Sequence, residues 1–179
     1  MPKRTGLLYT NDFESIKGWQ SVTLTSYPVH SGLYSNKMDS MHVYGATFRL
    51  PFRDISAKRL KKVRISLWTY FEENSQATLV MDIDNPDNKS ISWTGANMAL
   101  ELQQIGKNIT KWQQITDTRS NYSSRSSIQE IGKWQQITQE FSLQDTMINK
   151  PDNIINIYPW NNGKKNVYVD DIVIEFIPE

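Results

Sequence analysis

The stretch Val63-Arg64-Ile65-Ser66-Leu67-Trp68-Thr69-Tyr70-Phe71-Glu72 alternates apolar and polar side chains with a period of two. Successive side chains of an extended strand point to opposite faces, so Val63, Ile65, Leu67 and Phe71 fall on one side and Arg64, Ser66, Trp68, Tyr70 and Glu72 on the other. The first set is a core face. The second is polar yet carries two large rings, a mixture that suits a sugar, whose ring offers apolar C–H patches to an aromatic plane and hydroxyls to polar groups. The alternative is that Trp68 and Tyr70 lie under a loop or under a second sheet.

Working outward, the same split recurs. In residues 77–84, Ala77, Leu79, Met81 and Ile83 face inward and Thr78, Val80, Asp82 and Asp84 outward. In residues 97–103, Met98, Leu100 and Leu102 face inward and Glu101 and Gln103 outward. Further strands are expected over 7–10, 19–25, 33–38, 43–50, 90–93, 134–143, 153–158 and 166–177, separated by Gly, Pro, Asn, Asp and Ser clusters. A single helical turn over 55–60 fits an Asp54 cap followed by the basic run Lys58-Arg59-Leu60-Lys61-Lys62. Many short strands in a chain of 179 residues predict one all-β domain, a two-sheet antiparallel sandwich or jelly roll spanning 1–179.

Composition removes several functions. Twenty Lys and Arg against nineteen Asp and Glu leave a net charge of +1, without the basic excess of a nucleic-acid binder. There is no Cys, hence no thiolate metal site or disulfide, and two histidines, His30 and His42, are little material for an imidazole-rich zinc site. No apolar run is long enough to span a bilayer, so no membrane insertion is expected. Residues 1–13 lack the apolar stretch of a secretory signal, which fits a cytosolic chain or a domain of a larger extracellular or cell-surface polypeptide. Six Trp, eight Tyr and six Phe argue against disorder and for a surface that meets flat ligands.

One repeat stands out: Lys111-Trp112-Gln113-Gln114-Ile115-Thr116 returns as Lys133-Trp134-Gln135-Gln136-Ile137-Thr138. Two copies are too few for a solenoid, which points to a local duplication around a Ser-rich loop or flap inserted at about 105–129. Catalytic patterns are sparse. No Gly-x-Ser-x-Gly elbow, phosphate-cradling glycine loop or His-Glu-x-x-His occurs. A glycosidase needs two carboxylates flanking a cleft, for which Asp82, Asp84, Glu101 and Glu140 are the available groups. A non-catalytic chain is the expectation. Asp82-Ile83-Asp84-Asn85-Pro86-Asp87-Asn88 lacks the Gly and the distal Glu of a calcium loop and is read as a turn.

Four segments in order, Asn11-Asp12-Phe13-Glu14 with Gly18-Trp19, His30-Ser31-Gly32-Leu33-Tyr34-Ser35, Lys133-Trp134 leading to Phe141-Ser142-Leu143, and Tyr168-Val169-Asp170-Asp171-Ile172-Val173-Ile174, resemble the carbohydrate-binding modules of the galactose-binding-domain-like β-sandwich superfamily. The resemblance covers the chain apart from 105–129. It implies a jelly roll, a carbohydrate ligand and a module within a larger polypeptide. It further implies a structural Ca²⁺ held by Glu14, by the turn around Ser31 and by Asp171, and packed framework positions at Trp19 and Trp134. The remaining rings, Trp68, Tyr70, Trp93, Trp112, Tyr122 and Trp160, are then ligand candidates, with Arg64, Asp82, Glu101, Gln103, Asn161 and Asn162 as hydrogen-bonding partners for sugar hydroxyls. The competing expectation is a spacer or protein-interaction domain whose exposed rings meet a protein.

Overall fold

A computed structural model describes residues 3–5, 7–98, 130–145 and 149–179. Eleven strands and one helical turn follow in order: β1 Lys3–Thr5, β2 Leu8–Asn11, β3 Leu24–Thr25, β4 Ser35–Met38, β5 Phe48–Pro51, α1 Phe52–Ile55, β6 Leu60–Phe71, β7 Thr78–Asp84, β8 Ser90–Asn97, β9 Trp134–Ser142, β10 Ile154–Trp160 and β11 Val167–Pro178. They form a seven-stranded and a four-stranded antiparallel sheet. In the larger sheet, β6 lies between β9 and β11, while β2 and β4 share the far edge of β11 and are extended by β1 and β3. The smaller sheet has the order β5-β10-β7-β8. The two stack as a jelly-roll β-sandwich.

The alternation read from the sequence sorts the faces of β6 and β7. Val63, Ile65, Leu67 and Phe71 from the larger sheet, and Leu79, Met81 and Ile83 from the smaller, are all buried between the layers. Each such side chain contributes about 1.5–3 kcal/mol by leaving water. Tyr9 of β2 joins the layers, its ring edge-on to Phe48 at 4.8 Å and to Phe176 at 5.9 Å. Trp19 is packed as expected, 8 % exposed and edge-on to Phe48.

Three local expectations need correction. The helical turn occupies Phe52–Ile55, not 55–60, and begins after Pro51 without a side-chain cap. Burial decides this: Phe52 and Ile55, three positions apart on one face, both enter the core, and Leu60 already starts β6. Of the expected strands 19–25 and 43–50, only Leu24–Thr25 and Phe48–Pro51 are regular, the rest being isolated bridges at Gln20–Thr47 and Tyr44–Trp160. Trp134 is not core; it is half-buried on the outer face of the larger sheet, opposite Tyr70. The expected insertion at 105–129 lies outside the described residues.

Candidate functional site

Outward side chains of β6, β9 and β11 meet across the larger sheet, because Arg64 stands between Glu140 and Glu175 and Trp68 between Gln136 and Asp170. Most of their polar capacity is spent inside the molecule. Arg64 Nε donates to Glu140 Oε1 at 2.8 Å and its Nη1 to Glu175 Oε2 at 2.9 Å, while Lys62 Nζ donates to Glu140 Oε2 at 2.8 Å. These contacts hold the Glu140 carboxyl below its ordinary pKa, Lys62 first and Arg64 after it. Trp68 is covered on one side by the imidazole of His30, stacked at 3.8 Å and 17°. Tyr70 packs against Trp134 at 5.5 Å and Tyr168 at 5.9 Å. Of the expected ligand groups, Arg64, Trp68 and Tyr70 therefore share one face whose rings and charges largely satisfy each other.

The outer face of the four-stranded sheet is arranged differently. Cross-strand pairing makes one row of Arg49, Asn156, Asp82 and Trp93, a second of Tyr158, Val80 and Gly95, and a third of Trp160, Thr78 and Asn97. Adjacent rows are about 7 Å apart, two residues along a strand. Rings gather over the second row. Trp93 is 46 % exposed, and a Cβ on Gly95 would stand 2.8 Å from the indole and 2.7 Å from Thr78 Cγ2. The missing side chain of Gly95 is thus what lets Trp93 lie back over β8. Its indole stands beside the Tyr158 hydroxyl and favours that group's charged form, against the burial that raises its pKa. On the other side of Tyr158 stands Tyr44, 51 % exposed, ring-to-ring at 5.8 Å and 80°. Val80 points to this face and yet is completely buried, with Tyr158 and Gly95 as its cross-strand neighbours. An aromatic run Tyr44–Tyr158–Trp93 thus crosses the sheet.

Beside the rings lies a polar row. Arg49 Nη1 donates to Asp84 Oδ2 at 2.8 Å and to Asn156 Oδ1, and its Nη2 donates to Asn88 Oδ1 at 2.7 Å. Asn156 Nδ2 also donates to Asp84 Oδ2, at 3.0 Å. Asp84, expected to face outward, is 7 % exposed because this guanidinium and amide enclose it. Asp82 is half-buried and accepts a hydrogen bond from Ser90 Oγ at 2.5 Å. Burial first, and then the neighbouring Asp84 charge, push its pKa above the ordinary carboxylate value. Asp82 and Glu140 stand on opposite sheets and cannot flank one cleft.

The structure therefore brings Asp82, Trp93 and Trp160 together on this face and separates them from Arg64, Trp68 and Tyr70. Asn161 must be withdrawn as a ligand group: it is fully buried, its Nδ2 donating to the Lys165 carbonyl in the turn before β11. Asn162 accepts a long contact from Thr78 Oγ1 at 3.5 Å. Glu101, Gln103, Trp112 and Tyr122 lie outside the described residues. Sequence reasoning missed Arg49, Asn156, Tyr158, Tyr44 and Gly95. The parity of Trp160 with Tyr158 and Asn156 along β10 was the available signal for two of them.

The expected calcium ligands do gather at one loop, but as acceptors of hydrogen bonds. Glu14 Oε1 accepts from the Leu33 and Tyr34 amides at 2.7 and 3.0 Å. Asp171 accepts from Ser31 Oγ at 2.8 Å and contacts His30 Nδ1 at 2.7 Å. Asp170 Oδ2 accepts from the His30 and Ser31 amides at 2.9 and 3.2 Å. Ca²⁺ needs six to eight oxygens free to face it. Here N–H and O–H donors occupy the carboxylates, and among the described residues no group of three or more His, Cys, Asp or Glu is assembled for a metal. The loop's own donors thus take up Glu14 Oε1, Asp170 and Asp171, and a calcium ion would have to displace them.

No known family model and no curated protein matches the chain. Solved structures do. A family 22 carbohydrate-binding module of Clostridium thermocellum Xyn10B aligns with a TM-score of 0.55 and 13 % identity over 98 % of this chain and 96 % of that one. The first such module of Paenibacillus barcinonensis Xyn10C, a xylan-binding domain, aligns with a TM-score of 0.52 and 13 % identity over 100 % of this chain and 99 % of that one. A further xylan-binding domain of family 22 gives 0.52 at 12 % identity, covering 94 % and 93 %. At such identities the likeness is one of fold, and the fold is that of the carbohydrate-binding β-sandwich modules.

Proposed function

We propose that this chain is a non-catalytic carbohydrate-binding module whose ligand lies on the outer face of the four-stranded sheet. The observation that carries the reading is the aromatic run Tyr44–Tyr158–Trp93 set beside the polar row Arg49–Asn156–Asp82. Pyranose rings stack on Trp93 and Tyr44, and their hydroxyls bond to Asp82, which Arg49 and Asn156 support from behind through Asp84. Four strands spaced about 4.8 Å apart give the face a width of about 14 Å, room for a short stretch of an extended chain. Burying apolar ring faces contributes about 25 cal/mol per Å², offset by desolvated hydroxyls that find imperfect partners, so binding is weak and fast-exchanging. The fold shared with xylan-binding modules supports a polysaccharide ligand, and a xylan is the first polymer to try.

Affinity electrophoresis in gels cast with soluble xylan, with other neutral glycans and without polymer tests the reading. Retardation by one polymer but not by the blank gel is expected; equal mobility in every gel would refute it.

A further inference from the structure

The same face carries an asymmetry of charge that bears on which sugar it takes. Arg49 is fully committed: its guanidinium serves Asp84, Asn156 and Asn88. Asp84 is thereby neutralised and closed off, being 7 % exposed. Asp82, in the same row, has the Ser90 hydroxyl as its hydrogen-bonding side-chain partner, and among the described residues no ion pair includes it. Tyr158, on the adjacent position of β10, is pushed above its ordinary pKa by burial first and by the Asp82 charge second, so the carboxylate and the phenol sense each other across the face. Trp93 stands directly across from Asp82 on β8. A half-desolvated carboxylate beside exposed ring faces is a site for a cation, since ring quadrupole and carboxylate attract the same charge.

Resting on the proposed sugar-binding face, we infer that the module prefers an amino-sugar chain, a glucosamine polymer whose protonated amine pairs with Asp82 while its ring lies on Trp93. An ammonium there supplies the counter-charge that Arg49, bound to Asp84, does not give Asp82. A uronate would meet Asp82 with like charge and is rejected. Among the described residues, the other charged groups acting on the position are Asp84 and Arg49, which are bound to each other and leave Asp82 uncompensated.

The test is calorimetric titration, slightly below neutral pH, of the wild type and Asp82→Asn with glucosamine hexamer, N-acetylglucosamine hexamer, xylohexaose and tetralysine. The wild type is expected to bind glucosamine hexamer about fivefold more tightly than the better of the two neutral oligomers, the upper end for a partly exposed ion pair. In Asp82→Asn that preference disappears, whatever affinity the variant keeps for the neutral oligomers, and in the wild type added salt erodes it. Equal wild-type affinities for charged and neutral oligomers would overturn the inference and leave the sugar-binding face standing. So would a preference that survives in Asp82→Asn, or tetralysine binding as tightly as the amino sugar. Silence with every oligosaccharide would refute the sugar-binding face itself. The salt dependence is read on the wild type alone and holds even if the variant folds poorly.

Discussion

The imidazole of His30 lies flat on the indole of Trp68, ring centres 3.8 Å apart and planes 17° from parallel. The same imidazole reaches Asp171 through Nδ1 at 2.7 Å and meets Trp134 edge-on at 5.7 Å. A loop remote in sequence thus closes over the ring that looked, from its strand alone, like a platform for a ligand. Trp68→Ala is expected to leave polysaccharide retardation unchanged and to lower stability by about 2 kcal/mol, less than the 3–5 kcal/mol of a fully buried Trp. Urea unfolding and affinity electrophoresis of the one variant check both halves; lost retardation with a normal midpoint would move the ligand to the larger sheet.

Gly95 shapes the opposite face. A methyl group there collides with Trp93 and Thr78 at 2.8 and 2.7 Å, both side chains that can swing away. Gly95→Ala should therefore fold, with the indole lifted from β8 and away from Tyr158. About a tenfold weaker affinity is expected, equivalent to roughly 1.4 kcal/mol, with a small change in Tm. Unchanged affinity would show that the resting position of Trp93 is immaterial.

The loop that carries His30 and Ser31 is held by carboxylates. Asp171 adopts a left-handed backbone, φ 47°, inside a break in the β6–β11 register, and this irregularity lets consecutive acids address one loop. Asp170 is fully buried and accepts three backbone N–H bonds, from His30, Ser31 and Asp171. Burial raises its pKa even against those donors. Asp170→Ala strands the donors and should cost at least about 2 kcal/mol. Calcium or a chelator should leave the wild-type Tm unmoved; a rise with calcium would restore the ion that the donor set argues against.

Acid should loosen the larger sheet at two places. Glu72 accepts from the Tyr168 hydroxyl at 2.5 Å and from Asn166 at 2.7 Å, and these bonds, Tyr168 first, hold its pKa below the ordinary value; Lys62 and Arg64 do the same for Glu140. A lowered folded-state pKa means stabilisation that is present above the ordinary carboxylate value and is lost as pH falls through the lowered one. Thermal melts across that window should converge for the wild type and Tyr168→Phe as pH drops. A constant gap would mean that the bond is not coupled to the charge of Glu72.

Period-two alternation was enough for the sandwich, because burial on one face of β6 and β7 is a local property of each strand. It also turned Trp68, Tyr70 and Asp82 outward correctly. What it could not tell is which outer face stays open. That depends on partners distant in sequence: His30 covers Trp68, Glu140 and Glu175 take up Arg64, and Arg49 encloses Asp84. Trp134 and Asn161 went astray for the same reason, their surroundings being set by Tyr70 and by the Lys165 turn. Gly95 carries no side chain to notice, although its absence shapes the aromatic run.

The central claim is tested most directly by titrating one oligosaccharide of a polymer that retards the wild type against Trp93→Ala and Trp68→Ala in parallel, with circular dichroism confirming both folds. Binding lost in Trp93→Ala and kept in Trp68→Ala is the predicted result. Binding kept in Trp93→Ala and lost in Trp68→Ala would contradict the account.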